Sequence, residues 1–264
     1  MSSAILNYDQ SFSFCGQNLS GLSDVTLKTD FGVGYTPTLG SNVFGFHKIG
    51  PAIGGVDFAR SLIYNDPVIA YTGDLACSGQ FSYGGTNYGF ESGYLTNYAI
   101  SCSIGQVPNV AASISVFGEM KTGAANQTFV THPDIFVPSQ KSISISNDYG
   151  NSNRITSFQW SISIPRQPKY TLESKLSPES VFSPTPLQIS ASATFGIAGF
   201  SPLDVHQFVR YIYSPNFTIT IKNRDLSQTL MVLPVNNAQI LNQQIQGTID
   251  SPLTLTLQYA GYLE

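Results

Sequence analysis

An all-β fold of antiparallel strands is what this chain of 264 residues predicts. Three observations predict it. Apolar and polar residues alternate in run after run; each run is short and bounded by Gly, Pro, Asn or Ser; and helix-period stripes are scarce. A strand with one dry and one wet face belongs to an antiparallel sheet packed on one side.

The runs follow one another along the chain. Val25, Leu27 and Thr29 share a face, as do Tyr98, Ile100, Cys102 and Ile104. The first half closes on the alternation "AASISVFGEM". Ile143 and Ile145 open the second half; the turn-rich "NDYGNSNR" then leads to Phe158, Trp160, Ile162 and Ile164. Leu187, Ile189, Ala191 and Ala193 form the next run, then Phe217, Ile219 and Ile221, and finally Leu253, Leu255, Leu257 and Tyr259. The helix signal is "SPLDVHQFVRYIY". Ser201 suits an N-cap and Pro202 the first turn, and Leu203, Val205, Phe208, Val209 and Ile212 form a stripe. A second capped start, "NDPVIAY", places Asp66 before Pro67 and meets Gly73 early.

These features repeat. Pro67 and Pro202 are 135 residues apart, as are Tyr35-Thr36 and Tyr170-Thr171. The same shift sets Val25 on Trp160 and Leu27 on Ile162, in phase on the pleat. The reading is two tandem β-sandwich domains with a short helix each, 1–125 and 136–264, joined by a linker at 126–135. Each half also carries a long excursion between two strands, near 36–54 and 166–186. The second is fenced by Pro165, Pro168, Pro178, Pro184 and Pro186. Prolines stiffen such a loop, which favours a projecting arm over a disordered one.

Composition narrows the function. Apolar residues are 42% of the chain, enough for a core, and charged residues only 11%, against about 25% in an ordinary soluble domain. A surface so poor in charge fits a secreted or viral β protein, or a surface buried against copies of itself. The net charge is −4, the pI about 5.3, and no basic stripe is present to grip nucleic acid. Cys15, Cys77 and Cys102 are widely spaced with no zinc-ligand pattern, and Cys102 reads as a small core residue. No signal peptide or membrane-length apolar run is visible, so synthesis and assembly in a reducing cytoplasm are expected, and the sequons at Asn18, Asn126 and Asn216 read as chance.

Catalytic patterns are missing. "GVGYTP" at Gly32 has Pro37 where a dinucleotide loop needs its third glycine. His47, His132 and His206 lie far apart, and of the candidate carboxylate pair Asp66 and Asp74, Asp66 already has a capping role. The expectation is a protein that is not an enzyme and takes no cofactor or metal. The aromatic-rich "FSYGGTNYGFESGYLTNY" at 81–98 reads as cross-strand pairing, with a sugar-binding platform as the other reading.

On these residues the chain resembles the tail tube proteins of long-tailed bacteriophages, in their duplicated, two-domain kind. The resemblance rests on "FSFCGQNLSGLSDVTLKTD", on "DPVIAYTGD" with "GFESGYLTNYAISCSIGQVPNVAASISVFG", and on "SISIPRQPKYTLESKLSPESVFSPTPLQISASATF". It implies tandem tail-tube-like antiparallel β-sandwiches, each with a short helix, whose sheets join those of neighbours into a closed inner β-barrel. It implies homotrimeric, pseudo-hexameric rings stacked into a tube in the virion, other tail proteins at its ends, DNA passing through without specific binding, and no membrane. The two excursions would be the subunit-contact arms, carried by Tyr35, Pro37, Phe44, His47 and Lys48 in the first and by Arg166, Lys169, Tyr170, Glu173, Lys175 and Glu179 in the second. The other readings are a related tail ring component (terminator, distal tail or hub protein) and a carbohydrate-binding β-sandwich module.

Overall fold

A computed structural model describes residues 11–37, 44–48, 51–62, 65–83, 86–122, 142–147, 150–152, 155–172, 177–196, 213–249 and 251–263. The first half holds β1 (Ser11–Phe14), β2 (Gln17–Leu19), β3 (Leu22–Asp30), β4 (Val33–Pro37), β5 (Phe44–Lys48), β6 (Ile53–Ser61), β7 (Cys77–Tyr83), β8 (Thr86–Ser103), β9 (Asn109–Phe117) and β10 (Lys121–Thr122). The second holds β11 (Ile143–Asn147), β12 (Gly150–Ser152), β13 (Ile155–Ser163), β14 (Gln167–Lys169), β15 (Ser180–Phe182), β16 (Leu187–Gly196), β17 (Tyr213–Lys222), β18 (Thr229–Thr248) and β19 (Ser251–Leu263).

All pairing is antiparallel, and each half builds two layers from one long strand. The C-terminal part of β8 pairs β9, which pairs β6, which pairs β3. The N-terminal part of β8 leaves that layer and pairs β7, followed by β1 and β2. In the second half β18 plays the same part. One end runs β18-β19-β16-β13 and the other β18-β17-β11-β12. The layers face each other across apolar side chains. Phe12 meets Phe58 with ring centroids 5.3 Å apart, and Phe217 stacks on Tyr259 at 4.1 Å.

The correspondence extends to register. The nine pairs from Ile53↔Phe117 to Ser61↔Asn109 match those from Gln188↔Tyr262 to Gly196↔Thr254. The bulge between Leu22 and Asp24 has its counterpart between Ile155 and Ser157, and the irregularity between Leu95 and Asn97 recurs between Ile240 and Asn242. The shift of 135 read from the sequence therefore fits β6 and β16. For β3 and β13 it is two residues off, because Leu27, not Val25, is the counterpart of Trp160: Leu27↔Val56 answers to Trp160↔Ala191.

β13 also pairs the C-terminal part of β8, from Ser157↔Ser103 to Ser163↔Asn97, and this seam joins the halves. The result is an eight-stranded run, β3-β6-β9-β8-β13-β16-β19-β18. Within one chain the sheet is open, not a closed barrel. Buried residues of both halves belong to one continuous core, with Trp160 and Ile162 of β13 and Tyr98 and Ile100 of β8 at its centre. Full burial of each large apolar side chain contributes about 1.5–3 kcal/mol. The Trp160 Nε1–H donates to the Pro234 carbonyl at 3.4 Å, so the indole is buried without stranding its polar atom.

A 3-10 helix spans Pro67–Tyr71. It forms where the sequence places a cap: Asp66 is extended (φ −78, ψ 115) and accepts from the Val68 amide at 2.9 Å. The stripe at 201–213 lies outside the described residues but for Tyr213, which is in β17. A two-residue turn, Cys15 (φ 50) and Gly16 (φ 73), closes the β1–β2 hairpin. There the structure adds a link that cysteine spacing did not reveal: Cys15 and Cys77, with Cα atoms 5.0 Å apart, form a disulfide. Cys102 is the buried free thiol expected of it.

Candidate assembly surfaces

The seam between the halves is tighter than its strand pairs alone. The Ile164 amide donates to the Thr96 carbonyl at 2.8 Å and the Ile104 amide to Thr156 at 3.0 Å, extending the ladder at both ends. The Tyr98 ring meets Trp160 edge-on at 6.4 Å. Behind it, Arg60 and Asp66 form an ion pair of 2.8 Å with neither side chain exposed, and the Tyr98 hydroxyl donates to the same carboxylate oxygen at 3.1 Å. Loss of solvent, reinforced by the Asp66 charge, pushes the Tyr98 phenol well above its ordinary range.

The second excursion is an arm folded onto the first half. β14 and β15 pair as a short hairpin, Gln167↔Phe182 to Lys169↔Ser180. Val181 packs in a small cluster with Tyr94 and Phe117. Arg166 fixes the base of the arm. Its Nε donates to the Leu95 carbonyl at 3.0 Å, Nη2 to Thr72 and Gly73 at 2.8 Å, and Nη1 to Asp74 at 2.5 Å; the guanidinium also lies 5.8 Å from the Tyr94 ring centroid. Burial lowers the Arg166 pKa, with the Asp74 charge opposing the shift.

These facts sort the residues expected on the arms. The Arg166 side chain is 1% exposed and turned inward, and its hydrogen bonds all run to the first half of the same chain. Lys169 and Glu179 are exposed and face each other at 4.0 Å, and Tyr170 stands at the surface beside them. Glu173 and Lys175 lie outside the described residues. In the first arm Tyr35, Pro37, Phe44, His47 and Lys48 fall on one hairpin, β4–β5, with Tyr35 opposite Phe46, Gly34 opposite His47, Val33 opposite Lys48 and Pro37 opposite Phe44. Asp66 and Asp74 do not form a carboxylate pair; one holds Arg60 and the other Arg166.

Among the described residues, two edges of the eight-stranded run are open. Among the described residues β3 pairs only β6, and residues 242–248 of β18 have a strand on the β19 side alone. Large apolar side chains stand exposed at both: Phe31 (66%) and Val33 (58%) after β3, Leu241 (65%) and Ile245 (50%) on β18. The face of the run turned from the core is neutral and polar. One row across it reads Asn109, Ser101, Gln159, Ser192, Gln258 and Asn242. Hydroxyls bond within it, Ser161 to Ser190 at 2.7 Å and Thr194 to Thr256 at 3.0 Å. Charge enters near β3, where Lys28 and Asp57 pair at 2.6 Å.

A cleft of about 480 Å³ opens beside the arm, between the β1–β2 turn, the β7–β8 ladder and Ser177. Its floor is the Phe90 ring, which lies across Gly79 and Gly93, where any Cβ would strike it. Among the described residues no group of three or more His, Cys, Asp or Glu side chains is placed to hold a metal ion, and no helix is long and apolar enough to cross a membrane. In the aromatic stretch 81–98 only Tyr83 and Tyr88 are exposed; Phe81, Phe90, Tyr94 and Tyr98 are buried. Beyond the cap at Asp66, nothing in the sequence signals the Arg60–Asp66–Tyr98 network, because its three members come from separate elements.

No protein-family model matches the chain, and no curated protein sequence matches it.

Proposed function

We propose that the chain is a structural virion protein: a duplicated tube-type protomer that closes through its sheet edges into rings, stacked as the DNA conduit of a phage tail. One observation carries the reading. The seam strands β8 and β13 join two halves of the same pairing order, while their counterparts, β18 and β3, are the open edges of the run. An open edge at each end of a repeated sheet is completed without remainder by ring closure, which leaves no edge exposed. Two halves per chain make three chains a pseudo-sixfold ring. The neutral hydroxyl and amide face supports a wall that DNA slides past, since it offers little fixed positive charge to hold phosphate.

The arm on β14–β15 supports a role in holding neighbouring units together, as it already clasps one half to the other within the chain. A sugar-binding platform draws no support from the 81–98 stretch, where most of the rings are buried.

Negative-stain electron microscopy of the purified chain across a concentration series, with mass photometry, tests the reading. Rings or hollow tubes with three- or six-fold end views are expected. A monomer at every concentration, with or without other tail proteins added, overturns it.

A further inference from the structure

We infer that β3 of one copy pairs antiparallel with residues 242–248 of β18 in the next copy, in the register that sets Leu27 opposite Ile245. The inference rests on the ring reading and specifies its interface. It follows from the register correspondence. β3 matches β13 pair for pair against β6 and β16, bulge included, so Leu27 is the counterpart of Trp160. β8 matches β18 against β9 and β19, irregularity included: Ile100↔Val110 answers to Ile245↔Leu255, so Ile245 is the counterpart of Ile100. Trp160 and Ile100 face each other across the seam within the chain. Carrying that pair over puts Leu27 on Ile245, with Lys28 on Gln244 and Thr26 on Gln246.

The exposed apolar side chains fall where this pairing needs them. Ile164, just past β13, is 1% exposed and its amide bonds to Thr96. The counterparts of these two residues are Phe31 and Leu241, both left in solvent by the single chain. Pairing between copies covers them together.

The two seams are not chemically equal. Where the internal one has Arg166, the one between copies has Val33, the first residue of β4 and 58% exposed. The internal seam is locked by a guanidinium with four hydrogen bonds, whereas the external seam has an apolar contact. Ring contacts made this way persist in salt that screens surface ion pairs.

The test is cross-linking of the full chain carrying Leu27→Cys with Ile245→Cys, under mild oxidation, read on non-reducing gels. Lys28→Cys with Gln244→Cys is the second pair, on the opposite face and exposed at both positions. Linked dimers and trimers from either pair, undiminished in 1 M NaCl, are expected. Equal linking by Leu27→Cys alone would mean a two-fold β3–β3 contact and overturns the register, as does stronger linking by Leu27→Cys with Leu241→Cys. Rings seen by microscopy without links from either pair sink this register and leave the ring reading standing. Links without rings keep the pairing and sink the ring. Neither links nor rings removes both.

Discussion

Arg60 and Asp66 make a 2.8 Å ion pair from which solvent is wholly excluded, and it sits directly behind the seam that joins the two halves. Such a pair is costly to bury and more costly to break. Replacing Asp66 with Ala removes the carboxylate that neutralises Arg60 and also the cap on Pro67–Tyr71. Urea unfolding is expected to show a loss of about 3–5 kcal/mol, with much of it recovered when Arg60→Met is added to Asp66→Asn. A loss below about 1 kcal/mol in the single variant would mean that water reaches the pair.

Tyr98 ties stability to alkaline pH. Its phenol is pushed up by burial and then by the Asp66 charge, so the folded chain holds the proton where the unfolded chain has released it. The stabilising contribution is intact below the ordinary tyrosine pKa of about 10 and falls as pH rises toward the folded value. In a titration followed by tyrosinate absorbance, Tyr98 should ionise only together with unfolding. A Tyr98→Phe chain should lose one late-titrating group; an unchanged count contradicts the assignment.

Arg166 should control the arm rather than the core. Arg166→Ala removes four hydrogen bonds at the base of β14–β15, so local opening becomes easier while global unfolding shifts less. Trypsin cleavage at the exposed Lys169 is expected to accelerate by about tenfold or more, equivalent to at least about 1.4 kcal/mol of local stability. Arg166→Lys should not rescue it, because an ammonium cannot span carbonyls and a carboxylate as the planar fork does. Equal cleavage rates in all three proteins would place the constraint on the arm elsewhere.

The three cysteines should behave as one pair and one inert thiol. Cys15 and Cys77 are 62 residues apart, and linking a loop of that length stabilises by about 4 kcal/mol in the chain-entropy picture. The Cys15→Ser, Cys77→Ser chain should melt several degrees lower than the oxidised protein. Cys102 is buried, with its sulfur 3.3 Å from the Gln106 carbonyl, and burial pushes its thiol up to about 11. Iodoacetamide at pH 8 should label no cysteine in the native oxidised chain and one after unfolding.

Alternation alone was enough to make this chain an antiparallel β protein and to assign the core positions of its clearest strands. Phe158, Trp160 and Ile162 are buried as their spacing requires, and Asp66 caps a helical turn where Pro67 follows it. These signals are local: a pleat repeats every two residues, and a cap is completed within three. The spacing of 135 was legible for the same reason, as similar local features recurring along the chain. The strand register was not. A slip of two residues leaves every side chain on its proper face, so sequence could not tell whether Val25 or Leu27 answers to Trp160. Cross-strand pairing decided it. Arg166 shows the same limit for a side chain. In the sequence it is one charge among five in a proline-fenced loop, the kind usually left in water. Only the folding of the arm onto Tyr94, Leu95 and the turn at Thr72–Asp74, far away in sequence, provides the acceptors that make its burial possible. The sequence thus determined which faces are dry, and the tertiary structure decided which dry faces and which charges meet, because those partners are set by chain topology and not by neighbours in sequence.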